Sequence, residues 1–423
     1  MPTTYEERRQ LEQLDADALA DYQLSRLNQL LDTILPSNRF YADKLAELQR
    51  PVTSLDQLTT LPFTTKDELQ SASSNGDYAA NLTYPLDHYV RFHRTSGTRG
   101  RPMIVLDTAE DWAWWVNTWQ YVMDAADLSQ EDRVLMAFSF GPFIGFWSAN
   151  DAAVARGMLV IPSGGLSTIA RLELALSSRV TAVFCTPSYA LHMAEVAAEN
   201  QIDLAASDVR RLVVAGEPGG SMPAVRERIE AAWGARVIDH SGASEVGPWG
   251  YADRESRGLH ITESEFHAEF HSVDSGQPAK DGELSELVLT CLGRAGSPVI
   301  RYRTNDLVRP TWNTTGDNRF VLLDGGVLGR TDDMMIIRGV NIFPSSVEQI
   351  LRSFPDIVEY RMVAHRRGEM DALTIEIEDR LDSPRRVQNQ LQLRLGLRVD
   401  VRSVPPGTLP RFEAKGKRFV DER

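Results

Sequence analysis

The sequence predicts an α/β fold: a large N-terminal domain with a doubly wound parallel sheet and a β-rich subdomain, and a small mobile α+β C-terminal domain. Three observations lead to this prediction. Short apolar runs alternate with helical patterns between residues 133 and 239, strand-like patterns dominate from 282 to 307, and a unit that mixes both patterns begins after residue 332. Alternating strands and helices are typical of a parallel sheet that is covered on both faces.

Short apolar runs bounded by turn residues predict the strands of the parallel sheet. These runs are residues 134–138, 158–161, 182–185 and 212–215. Apolar residues at helical spacing predict helices at residues 188–199 and 222–233, and another at residues 15–34. Ligands of such sheets bind at the carboxyl ends of the strands, so the loops that follow these runs are where a site is expected.

A further helix is predicted to begin after Thr108, because Asp111 stands three residues later in a capping arrangement. This helix carries Trp112, Trp115 and Trp119 at spacings of three and four. Such a stripe belongs to a hydrophobic core much more often than to a ligand site, and we predict that the three rings are buried.

The last ninety-odd residues predict the small domain. Apolar runs indicate strands at residues 334–337, 358–364, 373–378 and 399–404, and helical spacing indicates helices at 346–352 and 385–395. The boundary is placed so that residues 1–331 form the large domain and residues 332–423 form the small one.

Composition excludes several classes of protein. A net charge of −14 over 423 residues, with one dense basic run at residues 415–418, argues against a nucleic-acid groove. Cys185 and Cys291 lie in apolar runs without metal-ligand spacing and are predicted to be reduced core residues. The polar N-terminal sequence has no apolar signal core, and no apolar run reaches membrane-spanning length. We therefore expect a cytoplasmic protein with neither nucleic-acid nor membrane partners.

Four polar segments carry the candidate chemistry. Residues 94–102 combine glycines, hydroxyls and arginines that suit phosphate oxygens, and a plain hairpin turn explains them equally well. Glu217 lies in a glycine-rich turn that any βα unit could use. Glu245 suits Mg²⁺ bound to a triphosphate, or the start of a helix. Asp306 suits ribose hydroxyls, or a turn. With Lys415 late in the chain, this order of residues favours activation of a carboxylic acid by ATP.

Together the segments resemble the adenylate-forming superfamily of acyl-CoA synthetases, peptide-synthetase adenylation domains and luciferases, and within it the phenylacetate–CoA ligase group. The resemblance runs from residue 61 to residue 423. The matching motifs are Leu61-Pro-Phe-Thr-Thr-Lys66, Thr186-Pro-Ser-Tyr189, Gly258-Leu-His-Ile261 with Glu263, Pro298-Val-Ile-Arg-Tyr-Arg-Thr304, Ile337-Arg-Gly-Val-Asn-Ile-Phe-Pro344 and Pro405-Pro-Gly-Thr-Leu-Pro-Arg411.

The resemblance implies a role for each matching residue. The β- and γ-phosphates of ATP would be held by Thr95, Ser96, Gly97, Thr98, Arg99, Gly100 and Arg101. The rest of the nucleotide would be bordered by Gly216, Glu217, Pro218, Asp239, His240 and Ser241, with Asp306 on the ribose and Arg330 positioning the nucleotide. The acid would be bound by Phe140, Gly141, Phe143, Gly242 and Ala243. Glu245 would ligate Mg²⁺, Lys415 would bridge the acyl carboxylate and the α-phosphate, Asp332 would be the hinge, and Gly339 would line the coenzyme A channel.

The chain departs from the usual family pattern at three positions. Arg99 and Arg101 stand where the family usually has Thr and Lys, and arginine keeps the charge of lysine while changing the geometry. Ser241 stands where the family places an aromatic ring on adenine, and the nearest ring is one position earlier, at His240.

The resemblance implies an enzyme that activates an aromatic or arylacetic acid with ATP and Mg²⁺ and passes the acyl group to a thiol, coenzyme A. Residues 1–331 would hold the ATP and acid sites, and residues 332–423 would swing. Two alternatives stay open: an amine, a hydroxyl or a carrier protein as the acceptor, or a non-catalytic nucleotide-binding relative. Glu245, Asp306 and Lys415 argue against the second. A homodimer is compatible with the sequence.

Overall fold

The computed structural model describes residues 3–71, 78–95, 102–138, 141–313, 315–331, 335–337, 340–367, 370–395, 397–411 and 418–423. The α-helices in this part of the chain are α1 (Tyr5–Glu12), α2 (Ala16–Ile34), α3 (Arg39–Lys44), α4 (Lys66–Ser71), α5 (Ala109–Ala125), α6 (Ile144–Ala155), α7 (Thr168–Ser177), α8 (Pro187–Glu199), α9 (Pro223–Trp233), α10 (Pro344–Arg352) and α11 (Pro384–Leu395).

The strands of the large domain are β1 (Tyr89–Arg94), β2 (Ile104–Thr108), β3 (Arg133–Met136), β4 (Leu159–Pro162), β5 (Ala182–Cys185), β6 (Arg211–Val214), β7 (Arg236–Ala243), β8 (Gly247–Ala252), β9 (Gly258–Ile261), β10 (Phe266–Ser272), β11 (Ser285–Cys291), β12 (Tyr302–Val308), β13 (Pro310–Thr311), β14 (Leu322–Asp324) and β15 (Gly329–Arg330). The later strands are β16 (Met335–Ile337), β17 (Val340–Ile342), β18 (Ile357–Arg367), β19 (Met370–Asp379), β20 (Asp400–Ser403) and β21 (Phe419–Asp421).

The largest sheet has the strand order β13-β14-β9-β8-β7-β6-β5-β3-β4, and its strands from β7 to β4 are parallel. From β3 the chain winds outward to β4 and then back to β5, β6 and β7. Because crossovers between parallel strands are right-handed, this reversal puts α6 on one face and α7, α8 and α9 on the other. The observed packing of α5 on α6, and of α7 on α8 and α8 on α9, agrees. The predicted doubly wound sheet is confirmed.

Local sequence determines where the helices of this sheet begin and end. Thr186 caps α8 by accepting a hydrogen bond from Tyr189 N–H, and Pro187 occupies the first helical position, where no N–H is needed. Helix α9 ends at Trp233, whose successor Gly234 adopts a left-handed conformation with φ of 62°. Each strand can therefore reach the sheet edge and pass directly into a loop and a helix.

The predicted cap and aromatic stripe of α5 are confirmed. Thr108 and Asp111 form a reciprocal capping box at its start. Trp112, Trp115 and Trp119 are all buried in the main hydrophobic core, where α5 also packs on α6 and β8. The helix thus supports the underside of the β7–β8 hairpin.

A second, antiparallel sheet forms the β-rich subdomain, with the order β10-β11-β12-β15. The small C-terminal unit has its own sheet, β20-β19-β18-β21, and its own hydrophobic core drawn from residues 335 to 419. The predicted strands and helices of that unit are present, while the three-residue strands β17 and β21 were not predicted. The exact boundary at residues 331 and 332 stays a prediction, because residue 332 lies outside the described residues.

Both cysteines are free and buried, as predicted. Among the described residues, no helix is long and apolar enough to cross a membrane.

Candidate active site

The described candidate residues gather along one edge of the large parallel sheet. Strands β3, β5, β6 and β7 run in the same direction, so their carboxyl ends meet there. The loop after β6 contains residues 216–218, and β7 continues past Asp239 into its hairpin with β8. The strand β12 of the second sheet brings Asp306 toward the same region, because Tyr302 on that strand contacts the hairpin. One edge of the sheet therefore brings together residues 216–218, Asp239 and Glu245, with Asp306 nearby.

Glu245 lies in the tight turn between β7 and β8, with its side chain mostly buried. Its Oε1 accepts a hydrogen bond of 2.7 Å from the Tyr302 hydroxyl and lies 4.0 Å from Lys66 Nζ. Burial and the adjacent Glu245 carboxylate raise the pKa of Tyr302 well above its ordinary value, so the phenol remains a donor. Both of these contacts are made by one carboxylate oxygen, Oε1. Mg²⁺ bound to phosphate oxygens needs only one or two protein carboxylates, and this arrangement suits such a ligand.

A buried arginine that the sequence interpretation missed supports this turn. The Arg294 guanidinium donates to the backbone carbonyl of Glu245 at 2.9 Å and to that of Ser244 at 3.3 Å. It is fully buried and also donates through Nε to Asp107 Oδ1 at 2.8 Å, an atom that accepts from Trp115 Nε1 as well. An arginine in a glycine-rich loop after β11 gave no signal of this contact, because its partners lie far away along the chain.

Asp306 and Arg330 are brought together as direct partners on neighbouring strands. They are paired in the antiparallel register of β12 and β15, and Arg330 donates to Asp306 Oδ1 at 3.2 Å. Tyr302 stands four residues before Asp306 on the same strand, but the strand does not alternate regularly between them, because its pairing with β11 shifts register there and Asn305 has a φ of 62°. Besides burial and the Glu245 carboxylate, the charges of Arg330 and Asp306 affect the pKa of Tyr302, so the Mg²⁺ candidate Glu245 and the ribose candidate Asp306 lie near one another.

Asp239 is enclosed by small residues at the end of its pairing with β6. The Ser221 hydroxyl and the backbone N–H of His240 donate to its carboxylate, the latter at 3.0 Å. A side chain at Gly220 would place a Cβ atom 2.4 Å from Asp239 Oδ1, so glycine is required there. Burial raises the pKa of Asp239 to about 6. This carboxyl group is therefore held rigidly where an adenine ring is predicted to lie.

Glu217 has a different environment from the one its predicted role suggests. Its Oε1 accepts hydrogen bonds from the Ser188 hydroxyl and from Ser188 N–H, the latter at 2.8 Å. Its Oε2 lies 3.6 Å from Arg418 of the small C-terminal domain. The side chain is thus engaged with α8 and the small domain, and contacts of this segment with adenine would be made by backbone atoms.

His240 also differs from the expectation that its ring could stand near adenine. The ring is buried, its Nδ1 is hydrogen-bonded to Gly250 O at 2.7 Å, and its centroid lies 4.2 Å from that of Trp119. Because successive residues of a strand face opposite sides, the ring faces the core while Ser241 faces the other side. Burial lowers the pKa of His240 to about 4, so the ring is neutral near pH 7.

The remaining predicted residues are partly described. Thr95 closes the base of the predicted phosphate loop, since Thr95 N–H donates to Met103 O at 2.9 Å and Met103 N–H donates to Thr95 Oγ1 at 3.0 Å. The flanking strands β1 and β2 form an antiparallel hairpin. In the acid region, Gly141 O accepts from Trp147 Nε1 and Phe143 is partly exposed. Gly242 and Ala243 lie at the end of β7.

Several predicted residues lie outside the described residues and stay predictions. They are Ser96, Gly97, Thr98, Arg99, Gly100, Arg101, Phe140, Asp332, Gly339 and Lys415. Within the described ranges, no group of three or more His, Cys, Asp or Glu side chains is placed to hold a metal ion.

Comparison with known proteins gives concordant matches. The AMP-binding enzyme family matches residues 24–290, and the AMP-binding enzyme C-terminal domain matches residues 339–423. The phenylacetate–coenzyme A ligase of Pseudomonas putida is 31% identical over 98% of this chain and 96% of its own length. That of Escherichia coli is 33% identical over 87% of this chain and 86% of its own length.

Two solved structures of a 2-hydroxyisobutyryl-CoA ligase are 26% identical in sequence to this chain. Each match covers all of this chain and 94% of the solved chain. The TM-score is 0.91 for its postadenylation state with 2-HIB-AMP and 0.75 for its thioesterification state with 2-HIB-AMP and CoA. The domain arrangement of the present chain is therefore more similar to the postadenylation state.

Proposed function

This chain belongs to the AMP-binding enzyme family, and on that premise we propose that it is an AMP-forming acid–CoA ligase. It activates a carboxylic acid with ATP, releasing pyrophosphate and forming an acyl-AMP, and then passes the acyl group to coenzyme A. The observation that carries the proposal is the alignment of Glu245, Tyr302, Asp306 and Arg330 at the carboxyl edge of the sheet.

In the first step the acid carboxylate attacks the α-phosphorus of ATP, and the bond to pyrophosphate breaks. Such a displacement is accelerated mainly by positioning and by stabilisation of phosphate charge. Mg²⁺, when bound, supplies part of that stabilisation. Tyr302 keeps Glu245 oriented toward this role, and Arg330 keeps Asp306 oriented toward the ribose. Lys415 is proposed to bridge the acid and the α-phosphate.

We propose that the acid is aromatic or arylacetic. Residues 140–143 follow β3, the strand at which the winding direction of the sheet reverses, and such reversal points are where ligands bind. The buried Phe138 and the partly exposed Phe143 flank this position. Phenylacetate–coenzyme A ligases among the relatives favour an aryl acid, while the 2-hydroxyisobutyryl-CoA ligase makes a small hydroxy acid the natural competitor to test.

An ATP–pyrophosphate exchange assay with a panel of acids tests the proposal. Phenylacetate and benzoate are expected to support exchange in the presence of Mg²⁺ at a higher rate than 2-hydroxyisobutyrate, acetate or a long fatty acid. Equal exchange with acetate and with the aryl acids contradicts the aryl pocket, and no exchange with any acid contradicts the enzymatic function. Supplying coenzyme A, an amine or a carrier protein to the preformed acyl-AMP then identifies the acceptor.

The two halves of the reaction are proposed to use two orientations of the small domain. Lys415→Ala is expected to abolish acyl-AMP formation while supplied acyl-AMP and coenzyme A still give thioester. Asp332→Pro is expected to do the reverse, because proline fixes φ at the hinge. Parallel loss of both half-reactions in Lys415→Ala contradicts its assignment to the first step.

A further inference from the structure

A pair of oppositely charged residues connects the two domains at the edge of the active site. Arg418 precedes the last strand β21 of the small domain, and its Nη1 lies 3.6 Å from Glu217 Oε2 in the loop after β6. Both side chains are more than nine-tenths buried, at 7% and 8% exposure. Charges in such a poorly hydrated place attract each other much more strongly than charges on an open surface.

Each partner is also held firmly within its own domain. Arg418 donates to both oxygens of Glu359 on β18, at 2.7 and 3.0 Å, and its backbone carbonyl accepts from Met362 N–H. Glu217 is held by the backbone and the hydroxyl of Ser188 at the start of α8. The contact between the two side chains therefore joins two fixed points, so it reports and constrains the relative position of the domains.

These local partners also make the contact reversible. If the small domain rotates away, Arg418 keeps its bidentate pairing with Glu359, and Glu217 keeps its hydrogen bonds from Ser188. Breaking a buried ion pair is very costly when it leaves a buried charge without a partner. Here each charge keeps a partner in its own domain, so that cost is avoided. A contact of this kind can stabilise one orientation without preventing departure from it.

The position of Arg418 in the chain connects this contact to catalysis. Lys415 precedes Arg418 by three residues, and three residues of fully extended chain span at most about 11 Å. The Cα atom of Lys415 is therefore tied to within that distance of the Cα atom of Arg418, whose guanidinium contacts Glu217 in the loop that follows β6. That loop lies at the carboxyl edge of the sheet, beside the predicted nucleotide site.

We propose that Glu217 and Arg418 form a latch that holds the small domain in the orientation for acyl-AMP formation, and that Glu217 is a positioning residue for this first half-reaction. The inference rests on the proposed function. It gives the Glu217 side chain a role distinct from a contact with adenine. The structure is more similar to the postadenylation state of the related ligase than to its thioesterification state, so the contact belongs to an orientation that precedes acyl transfer. The latch must open before the acyl group is transferred.

The two half-reactions of Glu217→Gln provide the first test. Glutamine keeps the size of the side chain and removes its charge, so ATP–pyrophosphate exchange is expected to fall about tenfold, while thioester formation from supplied acyl-AMP stays within about twofold of wild type. Glu199→Gln is the matched control, because it removes the same charge from an exposed position on α8 and should change neither rate. Equal losses in both half-reactions, or no loss, overturn the proposal.

A double-mutant cycle tests whether the two residues act as a pair. If they do, Glu217→Gln combined with Arg418→Gln loses no more exchange activity than Arg418→Gln alone, whereas additive losses contradict the latch. Arg418→Gln also removes the ion pair with Glu359, and thermal unfolding of each variant shows whether this destabilises the small domain. Glu217→Gln leaves that ion pair intact, so its rates decide the test.

A distance measurement separates failure of the latch from failure of the proposed function. Spin labels on cysteines introduced at the exposed positions Ser177 and Leu393 report the orientation of the small domain, since the native cysteines are buried. With ATP and Mg²⁺, the distance distribution of Glu217→Gln is expected to be broader than that of wild type. An unchanged distribution overturns the latch. If the distribution broadens but none of the tested acids supports pyrophosphate exchange in wild type, the latch is supported and the enzymatic function is contradicted.

Discussion

Two carboxylates at the same edge of the sheet, Glu217 and Glu245, have entirely different surroundings. Glu217 follows β6 and contacts Ser188 and the small domain through Arg418. Glu245 follows β7 and contacts Tyr302 within the large domain. The comparison teaches that the parallel sheet determines where an acidic residue lies, while the element packed opposite determines its surroundings. On the proposed function, Glu245 would serve the reacting phosphates and Glu217 would serve the position of the small domain.

The largest expected effect is that of Glu245→Gln, the variant that should separate the two carboxylates most clearly. A metal contact to a transferring phosphate is worth several kcal/mol, so pyrophosphate exchange should fall by at least about a hundredfold, compared with about tenfold for Glu217→Gln. Exchange measured over a range of Mg²⁺ concentrations checks this, because the dependence should change in Glu245→Gln alone. Identical Mg²⁺ dependence in the two variants would erase the proposed difference.

The next largest effect is a pH-dependent change in stability caused by His240. This residue lies on β7, the strand between the loop that contains Glu217 and the turn that contains Glu245. Burial lowers its pKa from 6.5 to about 4. The unfolded chain takes up a proton near pH 6.5 and the folded chain only near pH 4, so stability from the neutral ring is present above pH 6.5 and is lost as the pH falls toward 4. The loss should be on the order of 3 kcal/mol.

Urea unfolding of wild type and of His240→Asn between pH 7 and pH 4 measures this loss. The variant is expected to be less stable at pH 7 and to lose less stability on acidification, while Asp239 titrates in both proteins. If the unfolding free energies of the two proteins change in parallel with pH, the burial of a neutral His240 ring on β7 is contradicted.

Tyr302→Phe is expected to have the smallest effect and tests what holds Glu245. A hydrogen bond to a charged group contributes roughly 1.5 to 3 kcal/mol, and part of that is recovered when water replaces the hydroxyl, so exchange should fall about tenfold. Tyr121→Phe removes an equally buried hydroxyl, bonded to Ser264 away from the site, and should leave exchange unchanged. If both variants behave alike, Tyr302 has no special relation to Glu245.

The sheet and its edge could be predicted from the sequence because both depend on local patterns. Apolar runs of four or five residues identified β3 to β6, and the loop behind β6 contains Glu217, one of the candidates at this edge. The pairing of Asp306 with Arg330 could not be derived in this way. It depends on the register of two strands from different parts of the chain, and their proximity became visible only in the fold.

The contacts that the sequence interpretation missed are long-range or depend on the phase of a strand. Arg294 reaches Asp107 across 187 positions, and no periodicity connects such residues. The burial of the His240 ring could not be predicted, because one residue of phase along a strand decides between core and cleft. The strand β21 has three residues, too few to show alternation, so Arg418 before it gave no sign of being anchored.

The hydrogen bonds from Ser188 to Glu217 have a consequence for the order in which the chain is made. Ser188 is synthesised before Glu217, whereas Arg418 follows 201 positions later, counting from 217 to 418. At usual rates of translation this is an interval of roughly 10 to 40 s, and in its last part, after residue 331 has been added, the large domain can fold on its own. Once that domain has folded, Glu217 has hydrogen-bond donors from α8, so its carboxylate has partners before Arg418 is synthesised.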